Sequence, residues 1–167
     1  MPYIRNATLA DIPFMTRVIN HAILHSNALW EEEPVTEKNR QEWLDHKHQQ
    51  GFPVFIIQKS PHDPVAGFGT YGPFRPHAGY ALSIEHSLYI ATDQQGKGYG
   101  KALLQHLLQT ATVQNFHIMI GGLSADNTAS IALHKQAGFT AGSTIPQAGR
   151  KFGQFLDLVF MYKLLQK

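Results

Sequence analysis

One seven-residue stretch constrains this chain more than any other. Gln95-Gly96-Lys97-Gly98-Tyr99-Gly100-Lys101 sets three glycines within five residues, between a strand pattern and a helix pattern. Leu103, Leu104, Leu107, Leu108 and Ala111 form one apolar helical stripe after it. The glycines let backbone N–H groups turn toward one point, and the helix adds its positive N-terminal end, so the loop suits a phosphate. Lys97 and Lys101 add charge. Two common phosphate loops are excluded. Lys101 stands where the dinucleotide fingerprint needs its third glycine. Ala102 follows Gly100-Lys101 and offers no hydroxyl to a magnesium ion, and Gln95 replaces the first glycine of a P-loop.

The flanking pattern defines the fold class. Residues 3–7 read as a strand, and Thr8 with Asp11 opens a helix whose Ile12, Met15, Val18, Ile19, Ala22 and Ile23 share one face. A polar helix runs from Thr36 to about Gln50. Strands follow at 53–58, 65–71 and 80–90, then the glycine loop and a helix to about 115. A strand at 118–122, a helix capped by Asn127 and ending at Gly138, and strands at 140–145 and 155–164 complete the chain. The order β-α-α-β-β-β-α-β-α-β-β predicts an α/β fold with a mixed sheet. No repeat or linker divides it, so residues 1–167 are expected to form a single domain.

Composition removes other classes. With no cysteine, there is no disulfide framework, thiolate zinc site or cysteine nucleophile, which suits a reducing cytoplasm. A net charge of +2 predicts no nucleic-acid binding. No leader pattern and no run near the ~20 residues of a membrane span are readable. His21 with His25, and His46 with His48, lack a third ligand, so no metal is expected. Glu31-Glu32-Glu33 reads as solvated loop, and Arg150-Lys151 as too short a basic run for nucleic acid.

Gln95-x-x-Gly98-x-Gly100 matches the Q/R-x-x-G-x-G/A signature of GNAT acetyltransferases. Nearly the whole chain resembles the phosphinothricin and methionine-sulfoximine (methionine-sulfone) N-acetyltransferase branch of that superfamily. The stretches that carry the resemblance are Asn27-Ala28-Leu29-Trp30, Gly72-Pro73-Phe74-Arg75, Ile84-Glu85-His86-Ser87-Leu88-Tyr89-Ile90, residues 94–101, Ala132-Leu133-His134-Lys135-Gln136-Ala137-Gly138-Phe139, and residues 149–157. Ala81-Leu82 and Phe155 depart from the branch's usual residues. The resemblance implies one GNAT domain, with about seven strands in a twisted sheet flanked by about four helices. It implies acetyl-CoA as co-substrate, a small amine or amino-acid acceptor, and a homodimer made through the C-terminal strands.

Residue roles carry over position by position. Leu88, Tyr89 and Ile90 would offer backbone hydrogen bonds to pantetheine. Gln95, Gly96, Lys97, Gly98, Tyr99, Gly100 and Lys101 would hold the pyrophosphate, and Asn127 would meet the pantetheine arm. Arg75, Pro76, His77, Glu85, His86 and Ser87 would form the substrate region, where the planar fork of Arg75 suits a carboxylate. Acetyl transfer to an amine needs a base, and the branch's base falls on Glu85; strand alternation puts it on the polar face with Ser83, Ser87 and Tyr89. A backbone N–H of residues 88–90 would polarise the thioester carbonyl. His134, seven residues after Asn127, reads as part of a polar helix stripe, where the branch has a histidine suited to proton movement. Acetylation of a peptide or protein amine, and acyl-CoA binding without catalysis, stay open as alternatives.

Overall fold

The structure, a computed structural model, describes residues 1–165. Its strands are β1 (Tyr3–Asn6), β2 (Val54–Gln58), β3 (Val65–Pro73), β4 (Ser83–Ile90), β5 (Ile118–Ser124), β6 (Thr140–Lys151) and β7 (Gln154–Leu164). The helices are α1 (Ile12–His25), α2 (Glu37–Gln49), α3 (Tyr99–Val113) and α4 (Thr128–Gln136). The seven strands make one sheet in the order β1-β2-β3-β4-β5-β7-β6. Every neighbouring pair is antiparallel except β4–β5, which is parallel.

Two cores lie on opposite faces of this sheet. Met15, Ile19 and Ile23 of α1 and Leu44 of α2 pack on Val54, Ile56 and Phe68. Leu103, Leu104 and Leu107 of α3 pack on Phe55, Ile57, Ile84 and Met119, with Phe139 and Met161. The apolar stripes of α1 and α3 supply both cores, as helical amphipathicity requires.

The parallel pair places the site. Its register covers only Ser83↔Ile118, Ile84↔Met119 and Glu85↔Ile120. Beyond Glu85, β4 stays on β3 as far as Ile90, whereas β5 stays on β7 as far as Ser124. The sheet therefore splits at Glu85 and leaves one edge of each strand without a strand partner.

Some boundaries differ from the sequence reading. β4 begins at Ser83, not Tyr80, because Tyr80 N–H bonds the His77 carbonyl at 2.9 Å in a tight turn. β6 continues to Lys151, past Ile145. Its register shifts twice against β7, and Gln147 takes φ 53° with its N–H on Asp157 Oδ1 at 2.8 Å. Such bulges break the period of two that makes a strand readable. Phe152 and Gly153, at φ 49° and 75°, close the β6–β7 hairpin; a two-residue hairpin loop of this hand needs positive φ at both positions.

Candidate active site

Glu85 is the last β4 residue paired with β5, and it lies half-buried on the α1–α2 side of the sheet. With Arg75 it lines a cavity of about 330 Å³, also walled by Ala28, Leu29, Trp30, Gly122, Leu123, Ser124, Leu158 and Phe160. The carboxylate lies along Gly122, where an added Cβ would sit 3.0 Å from Glu85 Oε1. Burial raises the Glu85 carboxyl above its usual range, and the Arg75 charge opposes that rise. A carboxylate and a guanidinium thus share this cavity with aromatic and aliphatic side chains.

A larger cavity, of about 1120 Å³, opens from the split. Leu88, Tyr89, Ile90, Gln95, Gly96, Gly98, Tyr99, Gly100, Lys101 and Asn127 line it; Lys97 does not, and instead donates to Gln94 Oε1 at 3.1 Å. Gly96 and Gly98 take φ 74° and 83°, and Gly98 is the N-cap of α3. The first intrahelical bond there, Ala102 N–H to the Gly98 carbonyl, leaves the N–H groups of Tyr99, Gly100 and Lys101 without a helical partner. No neighbour lies within 4 Å of a Cβ built at Gly96 or Gly98, so the loop faces open space. Asn127 caps α4, its side-chain oxygen accepting from Ser130 N–H at 3.2 Å. Ala28 belongs to both cavity walls, so the two spaces adjoin.

His134 does not lie on a polar stripe. It is buried at 2% exposure and lines neither cavity. Its Nε2 meets His86 Nε2 at 2.9 Å, and its Nδ1 donates to the Ser130 carbonyl at 2.6 Å. His86 turns to the α4 side of β4, opposite Glu85, with Nδ1 3.0 Å from the Ile120 carbonyl. These three contacts each need a proton, and two neutral imidazoles carry only two N–H groups. Burial lowers the basicity of both rings, His86 to about 4, so at neutral pH two protons serve three contacts. Pro76 and His77 sit on an exposed loop, and Ser87 is half-buried; none of the three lines either cavity. Leu82 and Phe155, 57% and 64% exposed, also lie outside the walls, so the two sequence departures do not shape the smaller cavity.

Several wall residues carry no local sequence signal. Gly122, Ser124, Leu158 and Phe160 read as ordinary strand positions, and only the register of β5 with β7 brings them together. The loop after α1 closes the site by a bond from Asn27 Nδ2 to Asp126 Oδ2 at 2.9 Å.

A family model for the acetyltransferase (GNAT) family matches residues 15–139. The chain belongs to the GNAT acetyltransferase family. An L-methionine sulfoximine/L-methionine sulfone acetyltransferase of Pseudomonas aeruginosa is 41% identical to this GNAT chain over 158 residues, covering 95% of it and 91% of the relative. A solved ribosomal-protein-alanine N-acetyltransferase from Brucella melitensis superposes with a TM-score of 0.93 at 41% identity, covering 97% of this chain and 99% of the other. The Salmonella typhimurium protein yncA, solved with its cofactor acetyl-CoA, gives 0.94 at 37% identity, covering 99% and 95%. The split sheet and the glycine loop at the α3 N-terminus are thus set in a GNAT fold over the whole described chain.

Proposed function

We propose that this enzyme transfers an acetyl group from acetyl-CoA to the α-amine of a small amino acid or analogue of the methionine sulfoximine, methionine sulfone or phosphinothricin kind. The observation that carries the reading is Glu85: a half-buried carboxylate beside Arg75, at the point where β4 leaves β5 and the larger cavity begins.

Acetyl-CoA fits the larger cavity. The N–H groups at the start of α3 and the open loop at Gly96 and Gly98 suit its pyrophosphate, with Lys101 adding charge. The free edge of β4 at Leu88, Tyr89 and Ile90 offers backbone groups to the pantetheine arm and a donor to the thioester carbonyl, and Asn127 faces the same space. When bound, acetyl-CoA supplies an activated acetyl group. Arg75 holds the acceptor's carboxylate in a forked contact. Glu85 accepts a proton from the acceptor's ammonium group, whose pKa near ~8 leaves much of it protonated at neutral pH. We assign His134 proton movement on the thiol side by way of Ser130, whose hydroxyl is 3.5 Å from His134 Nδ1 and which lines the larger cavity.

Likeness to the ribosomal-protein-alanine N-acetyltransferase from Brucella melitensis favours a second reading, acetylation of a protein N-terminal alanine. Thiol release from acetyl-CoA across free amino acids, their sulfone and sulfoximine analogues, and alanine-starting peptides separates the two. The first reading expects turnover on free analogues and its loss in Glu85→Gln. Turnover on peptides alone supports the second, and calorimetric acetyl-CoA binding without turnover on any amine contradicts both.

We extend the proposal to a cytoplasmic homodimer. Absence of cysteine suits a reducing compartment. Ile145, Tyr162 and Leu164 leave apolar surface exposed along β6 and β7, next to the open edge of β6. Sedimentation of the purified protein tests the assembly.

A further inference from the structure

Lys151 is among the most buried side chains of the described protein, at 1% exposure. Its ammonium group carries three N–H donors, and three carbonyls converge on it: Ala22 at 3.3 Å, Ser26 at 2.5 Å and Leu29 at 2.5 Å. Two of these lie at the C-terminal end of α1, where a helix presents partial negative charge. All three donors are therefore engaged by backbone, and none is left for a substrate. Burial lowers the basicity of Lys151, while the charges of Glu31 and Glu32 support its protonated form.

The same strand holds the next residues of that loop. Two positions before Lys151, on the same side of β6, Gly149 lies against the indole of Trp30; a Cβ there would collide with ring atoms Cε3 and Cζ3 and sit 3.2 Å from Cδ2. One position after Lys151, Phe152 N–H donates to Glu32 Oε1 at 2.5 Å. The segment from Ser26 to Glu32 is thus fixed at three successive points by the end of β6 and the hairpin loop that follows it. Ala28, Leu29 and Trp30 from this segment wall the cavity that holds Glu85 and Arg75.

We propose that Lys151 and Gly149 are positioning residues for the acceptor: Lys151 holds the loop after α1 in place, and Gly149 makes room for Trp30 as the cavity wall, so that together they set which acceptor side chains are accepted. The proposal rests on reading that cavity as the acceptor site. It gives a function to Lys151, through a lysine too buried to meet solvent, and to Glu32, through its bond from the Phe152 backbone.

Trp30 reports on the clamp independently of activity. In a Trp43→Phe background it is the sole tryptophan of the chain. Lys151→Met keeps the apolar stem and removes the donors. Expected are a folded protein by circular dichroism, Trp30 at least about twofold more open to acrylamide quenching, and an acceptor KM raised about tenfold, with kcat and the acetyl-CoA KM moved far less. Gly149→Ala leaves Lys151 intact, and its methyl displaces Trp30 into the cavity; it is expected to shift preference toward acceptors with smaller side chains. If Lys151→Met does not fold, Gly149→Ala decides. Unchanged quenching and acceptor KM in Lys151→Met, or unchanged acceptor preference in Gly149→Ala, overturns the proposal. Release of Trp30 in Lys151→Met, with no transfer to any amine by the unaltered enzyme, refutes the acceptor-site reading while leaving the clamp in place.

Discussion

His86 Nε2 and His134 Nε2 face each other across 2.9 Å, and each ring's Nδ1 is turned to a backbone carbonyl. The pair is enclosed by Phe139, whose ring centroid is 5.5 Å from that of His86 and 5.1 Å from that of His134. The causes that set their basicity are burial, the charge of the partner histidine and the two carbonyls, with no carboxylate among them. A third proton would complete the hydrogen bonds, yet it would place a charge where burial opposes it.

The pair makes stability depend on pH. In the folded protein His86 titrates near 4, against 6.5 for an ordinary histidine. Between those values the unfolded chain binds more protons, so stability is full above 6.5 and falls as pH drops toward 4. The slope reaches about 1.4 kcal/mol per pH unit. Urea midpoints measured from pH 7 to 4 are expected to fall more steeply for the unaltered protein than for His86→Gln. Equal slopes would contradict a neutral buried pair.

Gly121 leaves the space that this pair occupies. A Cβ there would sit 2.8 Å from His86 Cε1 and 3.3 Å from His134 Nε2. Gly121→Ala is expected to cost about 1–3 kcal/mol by forcing the rings apart. Chemical denaturation measures the loss, and a cost near zero would show that the rings move freely.

Glu85→Gln should lower kcat/KM by about 10²–10⁴-fold, the range for a positioned base, with thermal stability nearly unchanged. Burial raises the Glu85 carboxyl and Arg75 holds it down. The acid limb of kcat/KM in the unaltered enzyme therefore lies above the usual carboxylate range. Arg75→Ala is expected to move that limb to still higher pH, and a limb moved downward would remove Glu85 from the role.

The loop at the start of α3 separates donor from acceptor effects. At Gly98, φ is 83° and no side chain crowds the position, so Gly98→Ala acts through backbone strain of about 1–2 kcal/mol. The acetyl-CoA KM should rise about tenfold while the acceptor KM holds. Initial rates with each substrate varied in turn read the difference; a change confined to the acceptor KM would move the donor site elsewhere.

Local pattern carried the parts of the fold that local physics controls. The apolar positions read on α1 and α3 are buried, because a helix with one apolar stripe has one way to face a sheet. The glycine loop was legible because positive φ and close backbone approach demand glycine. The burial of His134 is not legible in its own helix, because α4 is short and weakly amphipathic, and the polar partner that lets it be buried stands 48 residues earlier in the chain. Lys151 reads as part of a short basic run for the same reason. A lysine is normally exposed, and the carbonyls that shelter it belong to a helix end more than a hundred residues away. The walls at Leu158 and Phe160 depend on β7 inserting between β5 and β6, an order that strand periodicity does not encode.

The contacts from β6 to the loop after α1 span 120 to 129 residues. They tie the end of the first helix and the loop after it to nearly the last part of the chain to be made. A nascent chain that has emerged only through β5 already contains Glu85, Arg75, the glycine loop and Trp30, but not the strand that seats Trp30. Contacts so distant along the chain carry the largest loop-closure cost, which places them late in assembly. The larger cavity is lined by residues between Arg17 and Gln136, all of which precede β6, whereas the wall at Trp30 in the proposed acceptor cavity waits for β6. If the smaller cavity is the acceptor site, as proposed, the residues that seat its Trp30 wall are thus among the last to be made.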